Sequence, residues 1–305
     1  MLKLKYLFEN LEMATQLVQQ YDHDDLSILQ YFRISSNAIY PFRFKEEVRF
    51  LRVTPVEETE ISFLQGEIAL LNALEQKDFP SVRVLKSLNN NLLEEQQMDD
   101  GNYYTSVFER VPGECIDEIE MTSEIASNMG RSLASLHLVS EEVDVELPSY
   151  LDSLNWMEKE LQEMMLEKDL EDLAFIRKGL MDLPKTNFGI VHYDYEPDNL
   201  FIEGDTIYPL DFNDAMYHFY TMDILNTVNE LPENFANDFI KGYKKIKPLS
   251  DNYTEEKKWC DLFSKLYKNT RVKRSIFEPV LNEPDWMVAL RSKLESNIAV
   301  IQKPE

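Results

Sequence analysis

The stretch GIVHYDYEPDNLFI at residues 189–202, followed by IYPLDFN at 207–213, decides how this chain is read. It holds His192, Asp194, Asn199 and Asp211 within a few turns of backbone. Two short apolar runs, LFI at 200–202 and TIYPL at 206–210, flank Glu203, Gly204 and Asp205, a turn signal between paired strands. Folding about that turn brings Asn199 and Asp211 to the open end of one hairpin, beside Asp194 in the preceding loop. A three-residue loop would set the two directly opposite, and a two-residue loop would leave them one position out of register. The sequence is compatible with both. Phosphoryl transfer from ATP needs such a set: a carboxylate beside the attacking hydroxyl, oxygen ligands for Mg²⁺, and a cation on the phosphates. Mg²⁺ takes only one or two protein oxygens, the rest coming from phosphate and water, and an Asp, an Asn five residues later and a second Asp twelve after that supply such a set.

Upstream of this segment the chain is strand-rich. LSILQYFRI at 26–34, AIYPFRF at 38–44 and EVRFLRV at 47–53 are rich in β-branched and aromatic residues, with turn-like breaks at 35–37 and 45–47. Residues 61–76 read as a helix through Leu64, Ile68, Leu71 and Leu74, and VRVLKSL at 82–88 and YYTSVFERV at 103–111 resume the strand pattern. Beyond ValProGly at 111–113 helical spacing dominates. Thr122 is the expected N-cap of a helix carrying Ile125, Met129, Leu133 and Leu136, and 151–181 reads as one long helix. The expected organisation is α+β: a β-rich part over 1–110 and a mainly helical part over 111–305.

The 305 residues carry 31 Lys+Arg against 56 Asp+Glu, a net charge of −25. Nucleic acids and anionic membranes both require a basic surface, so neither is expected as a partner. Glu9 and Glu12 interrupt any apolar leader, and no apolar run approaches the roughly 18 residues needed to span a bilayer. Two cysteines, Cys115 and Cys260, make no disulfide framework, which points to a reduced cytoplasm. The charge is uneven. Residues 141–182 hold thirteen acids against four bases, whereas 241–275 hold eleven bases against four acids. The basic stretch, interleaved with Trp259, Leu262, Phe263 and Leu266, reads as a solvated helix face.

HisTyrAsp-x4-Asn at 192–199, AspPheAsn at 211–213 and GlyArgSerLeuAlaSerLeuHis at 130–137 together resemble the aminoglycoside phosphotransferase and choline kinase superfamily. These are small-molecule kinases of bilobal, protein-kinase-like fold, using ATP and Mg²⁺, and the resemblance extends from about residue 25 to 230. It implies that Asp194 is the catalytic aspartate, that Asn199 and Asp211 hold Mg²⁺, and that His192 is a structural member of the loop. Asp223 would buttress that loop from the following helix. Arg52, in FLRV at 50–53, occupies the place of the phosphate-binding cation, more often Lys, and Glu67 that of the carboxylate pinning it. Ser36 and Asn37 fall in the turn that covers the phosphates, in place of a glycine-rich loop. Glu109 and Val111 match the hinge whose backbone meets adenine.

Asp211 and Asp223 stand too close together for the long activation segment of a protein kinase. The acidic region 141–182 occupies the substrate-binding insertion of the small-molecule kinases. Several acceptors in that superfamily carry amines, so the first-choice partner is a small hydroxyl-bearing, cationic acceptor such as an aminoglycoside or amino-alcohol. The competing reading of those acids is the wet face of a helix. The rival function is a non-catalytic nucleotide-binding or interaction protein on the same fold, to which Arg52 and the AspPheAsn variant give support.

Overall fold

A computed structural model describes residues 11–30, 33–34, 37–99, 101–277 and 285–301. Helix α1 (Leu11–Leu17) lies under an antiparallel sheet built from β1 (Arg33–Ile34), β2 (Ala38–Phe44) and β3 (Glu47–Pro55). Helix α2 (Ile61–Gln76) interrupts the strands, which resume as β4 (Val84–Leu85), β5 (Glu94–Met98) and β6 (Gly101–Glu109). β6 pairs with β3 on one side, and β4 and β5 share its other side at different heights. β2 and β3 are joined by Lys45 and Glu46, both at positive φ, as a two-residue hairpin loop demands. Alternate side chains of β2 and β3 meet Leu17, Val18 and Tyr21 in one apolar cluster.

The remainder is mainly helical: β7 (Glu114–Cys115), α3 (Ser123–Ser140), α4 (Tyr150–Glu163), α5 (Glu167–Asp182), β8 (Phe188–Val191), β9 (Leu200–Glu203), β10 (Thr206–Pro209), β11 (Met216–Phe219), α6 (Thr221–Glu230), α7 (Glu233–Lys244), α8 (Tyr253–Phe277) and α9 (Asp285–Ser296). Two small sheets, β10–β9–β7 and β11–β8, sit among these helices. One core joins α3, α7 and the β9–β10 hairpin, and it also takes Leu70, Leu71 and Leu74 of α2. A second core joins α4, α5, α6 and α8. The helix carrying Glu67 is thus fastened to the helical part rather than to the sheet alone.

Thr122 caps α3 as expected, its Oγ1 accepting from Ile125 N at 3.2 Å. α3 then packs on α7 at backbone distance. A Cβ on Gly130 would lie 2.0 Å from Phe239 O, and one on Gly242 would lie 2.1 Å from Ser127 O. Gly130→Ala must therefore push the helices apart, and the expected loss is about 1–3 kcal/mol of unfolding free energy, read by urea denaturation.

Three expected elements differ. Within LSILQYFRI only Arg33–Ile34 is strand among the described residues, because Asp25 accepts from Ser27 N at 2.8 Å and turns the chain after it. VRVLKSL contributes only Val84–Leu85, and the polar EEQQM at 94–98 forms the edge strand in its stead. Residues 151–181 are two helices, broken at Met165, whose φ is 55°. The strand–turn–strand segment holds, and its loop has two residues: Glu203 pairs with Thr206, and Gly204 takes φ 60°. Asn199 consequently faces Leu210, whose N–H donates to Asn199 O at 2.9 Å, and Asp211 lies one position out of register.

Candidate active site

The loop from His192 to Asn199 leaves β8 with Tyr193 at φ 71°, a backbone state that needs outside support. α6 supplies it. Asp223, fully buried, accepts from His192 N at 2.8 Å, Tyr193 N at 2.6 Å and His137 Nε2 at 3.0 Å. One turn on, Asn226 Nδ2 donates to Tyr193 O at 2.7 Å and Thr227 Oγ1 to Tyr195 O at 2.7 Å. Residues 223, 226 and 227 share one helix face, so a single turn of α6 holds three consecutive stretches of loop backbone. His137 in turn contacts Tyr243 OH through Nδ1 at 2.8 Å. Burial lowers the pKa of His137 despite its Asp223 partner, so the ring is neutral, donating from Nε2 and accepting at Nδ1. Thr227→Val removes one loop tether without changing volume much. It is expected to cost about 1–2 kcal/mol of stability, measured by thermal denaturation.

His192 is buried, and its Nε2–H donates to Leu210 O at 2.8 Å, tying the loop to the end of β10. Burial lowers its pKa as well, and its other nitrogen has no partner among the described residues. Asn199 Nδ2 donates to Asp194 Oδ2 at 3.0 Å and to Asp194 O at 3.1 Å, which orients the carboxylate and leaves Asn199 Oδ1 unused. Asp211 takes a left-handed backbone (φ 57°, ψ 63°), and no side chain among the described residues hydrogen-bonds its carboxylate. Burial first, then Asp214 and Asp211, push the Asp194 carboxyl up to about 6, against Arg271 and Lys268. Burial and Glu67 push Asp211 up to about 6, against Arg52. Burial and Asp194 raise Glu196 to about 7. Burial would raise Asp214 too, but Arg271 at 2.5 Å holds it below the usual carboxylate range.

Asp194, the Asn199 amide oxygen and an unbonded Asp211 form a hard-oxygen donor set. Among the described residues no three His, Cys, Asp or Glu side chains form a protein-only metal cage. A cation here would depend on Asn199, Asp211 and oxygens from outside the protein, which is how Mg²⁺ is usually held. The residues fit the ion.

On β3, Arg52 makes a two-pronged pair with Glu67 of α2: Nη1 to Oε1 at 2.8 Å and Nη2 to Oε2 at 2.7 Å. Both side chains are nearly buried, and the guanidinium lies over the Phe108 ring, 4.7 Å from its centroid. Burial opposes its charge, but Glu67 and Asp211 outweigh that and keep it protonated. The Asn37 side chain is buried and accepts from Thr54 Oγ1 at 2.7 Å. Ser36 lies outside the described residues. Glu109 ends β6 with its N–H donated to Arg83 O at 3.1 Å, and Val111 is buried behind it.

A cavity of about 140 Å³ opens between the β3–α2 connection, α4, the 213–216 segment and α8. Its charged lining is Glu58, Asp152 and Asp214 against Arg271 and Arg274. The α8 cations are not simply solvated: Lys268 pairs with Glu196, Arg271 with Asp214, and Arg274 with Glu58 and Glu160. Sequence reading missed Asp214, Asn226, Thr227, Arg271 and Arg274. The three-residue recurrence of Lys268, Arg271 and Arg274 was the available signal for α8. Among the acids of 141–182, Glu141, Glu142, Glu158, Glu160 and Asp169 each pair with a base, while Asp152 caps α4 by accepting from Ser149 N at 2.7 Å.

The sequence profile described as the phosphotransferase enzyme family matches residues 34–259. The chain belongs to that family. It is 23% identical over 265 residues to amicoumacin kinase of Bacillus subtilis (strain 168), covering 79% of this chain and 78% of that one. A homoserine kinase of Gluconobacter oxydans (strain 621H) is 25% identical over 162 residues, covering 46% and 50%. Among solved structures, amicoumacin kinase hAmiN in complex with AMP-PNP, Ca²⁺ and Ami superposes with a TM-score of 0.73 at 16% identity, covering 95% of this chain and 93% of that one. A microcompartment-associated aminopropanol kinase gives 0.67 at 17% identity, with 94% of each chain covered. The architecture is therefore the bilobal, protein-kinase-like one, with a β-rich N-terminal lobe and a mainly helical C-terminal lobe. The protein is a small-molecule kinase, and ATP use comes with the family. No helix among the described residues is long and apolar enough to cross a membrane.

Proposed function

We propose that this enzyme moves the γ-phosphate of ATP to a hydroxyl of a small amine-bearing molecule of amino-alcohol or aminoglycoside type. The observation that carries the reading is the convergence of Asp194, Asn199 and Asp211 around one hairpin end, within electrostatic range of the Arg52–Glu67 pair. Residues 1–110 would form the nucleotide-binding lobe and 111–305 the catalytic and acceptor lobe. Adenine would meet the Glu109 carbonyl and the Val111 backbone, since the Glu109 N–H is already committed to Arg83. Ser36 and Asn37 would cover the phosphates, and Arg52, held by Glu67, would neutralise them.

Asn199 and Asp211 would hold Mg²⁺, which offsets phosphate charge and fixes its orientation when bound. Asp194 orients the acceptor hydroxyl, and its carboxylate receives the proton as the oxygen bonds to the γ-phosphorus and the bond to the ADP oxygen breaks. Asn199 keeps that carboxylate aimed, and Asp223, His137, Asn226 and Thr227 keep the loop in place without touching substrate. Catalysis is then mostly positioning and charge neutralisation.

The acceptor's amine is supported by the cavity wall. Arg271 and Arg274 are each tied to carboxylates, whereas Asp152 at the rim has no cation partner among the described residues. The name aminopropanol kinase points the same way. Five of the thirteen acids of 141–182 are taken by bases and so are not free to meet an amine. The test is ADP release from MgATP over amino-alcohols, aminoglycosides and their N-acetylated counterparts. Turnover confined to free amines is expected, and equal turnover after N-acetylation would refute the amine requirement.

A further inference from the structure

α8 presents a cation every third residue toward the site, and each is taken by a carboxylate from a different part of the chain. Lys268 reaches Glu196 of the catalytic loop at 3.2 Å, and Arg271 reaches Asp214 at 2.5 Å. Arg274 crosses to the other lobe. Its Nη1 lies 2.7 Å from Glu58 Oε2 and its Nη2 3.3 Å from Glu58 Oε1, while its Nε lies 3.2 Å from Glu160 Oε2 on α4. Glu58 belongs to the connection between β3, which carries Arg52, and α2, which carries Glu67.

The Glu58 side chain is 3% exposed and those of Arg274 and Glu160 are 13% and 15% exposed. A guanidinium shared by two carboxylates so far from water yields little net stability, because desolvation of three charges offsets their attraction. What it supplies is geometry, since a forked two-point contact fixes both distance and direction. Glu58 and Arg274 also line the 140 Å³ cavity, beside Asp214 and Trp156.

We propose that Glu58 and Arg274 are a positioning pair that braces one wall of this cavity, so that an acceptor hydroxyl rather than bulk water meets the γ-phosphorus. The inference rests on the reading of this site as an ATP phosphotransferase. With the pair made, the β3–α2 connection is held against α8 and the path for water is narrowed. With it broken, water enters: its oxygen bonds to the γ-phosphorus, the bond to the ADP oxygen breaks, and its proton passes to Asp194, giving ADP and inorganic phosphate.

The experiment measures ADP and phosphate release from MgATP without any acceptor, beside AMP-PNP titration of the same proteins. Glu58→Gln leaves Arg274 paired with Glu160, so the fold is kept while the crossing contact weakens. The triple variant Glu58→Gln, Glu160→Gln, Arg274→Met leaves no buried unpaired charge. Both are expected to release phosphate about tenfold faster than wild type, with AMP-PNP affinity within about twofold. Wild-type rates of release in variants that bind AMP-PNP normally would overturn the pairing role alone. Failure of the wild type itself to bind AMP-PNP would overturn the underlying reading, and this inference with it.

Discussion

Asp194→Asn lowers kcat by about three orders of magnitude and at the same time stabilises the nucleotide-free enzyme. The first effect follows from losing both the hydroxyl-orienting charge and the proton acceptor. The second follows from the cost of keeping a buried Asp194 charged, beside Asp214 and Asp211. Its carboxyl is pushed up to about 6, from an ordinary 3.8, so the folded state binds its proton more tightly than the unfolded state does. A carboxyl raised in this direction destabilises the fold above about pH 6, and the penalty fades as pH falls toward 4. Removing the charge is therefore expected to gain about 2 kcal/mol at pH 7.5 and almost nothing near pH 4. The amide oxygen introduced by the substitution still accepts from Asn199 Nδ2, so the loop is not disturbed. Urea denaturation in chelator at the two pH values checks this, and a loss of stability at pH 7.5 would mean that Asp194 is satisfied in the free enzyme.

Glu67→Ala is expected to cost about 3–5 kcal/mol, because it leaves the Arg52 guanidinium buried without its partner. Nucleotide affinity should fall with it, as Arg52 loses the fork that aims it. The two effects separate in the double variant Arg52→Met, Glu67→Leu, which replaces the pair by apolar groups. Stability should return to near the wild-type level while AMP-PNP binding stays more than about tenfold weaker. Urea denaturation and AMP-PNP titration read the two quantities. A double variant that binds AMP-PNP as well as wild type would show that Arg52 does not serve the phosphates.

The convergence of the site residues was legible in sequence because it is local. Asp194, Asn199 and Asp211 lie within one loop and one hairpin, so backbone spacing alone brings them together, and only the loop length was open. Arg52 and Glu67 could be matched in advance only through the family resemblance, and the structure shows them paired. What escaped came from afar. Arg271 and Arg274 reach the site from a helix that begins well after the hairpin, and a cation that will meet a buried carboxylate looks the same in sequence as one that meets water. Asn226 and Thr227 escaped for another reason: polar residues in a helix mark a solvated face unless the backbone they hold is already known. The strand at 94–98 was hidden because Met98 is its only apolar residue, packed on the cluster under the sheet. The break at Met165 was hidden because α4 buries Leu154, Met157 and Leu161 and α5 buries Leu173, Ile176 and Leu180, stripes of similar period.

The net charge of −25 is a property of the whole surface and says little about the site. Around the proposed phosphate path the sign is set by Arg52 and whatever cation Asn199 and Asp211 hold. The central claim is transfer of phosphate to a small amine-bearing alcohol at Asp194. Its most direct test is mass analysis of an amino-alcohol and aminoglycoside panel after incubation with MgATP and either wild type or Asp194→Asn. The account predicts that at least one free-amine acceptor gains a single phosphoryl group with wild type and that none does with the variant. Equal phosphorylation by both proteins, or wild-type phosphate appearing only in water, would contradict it.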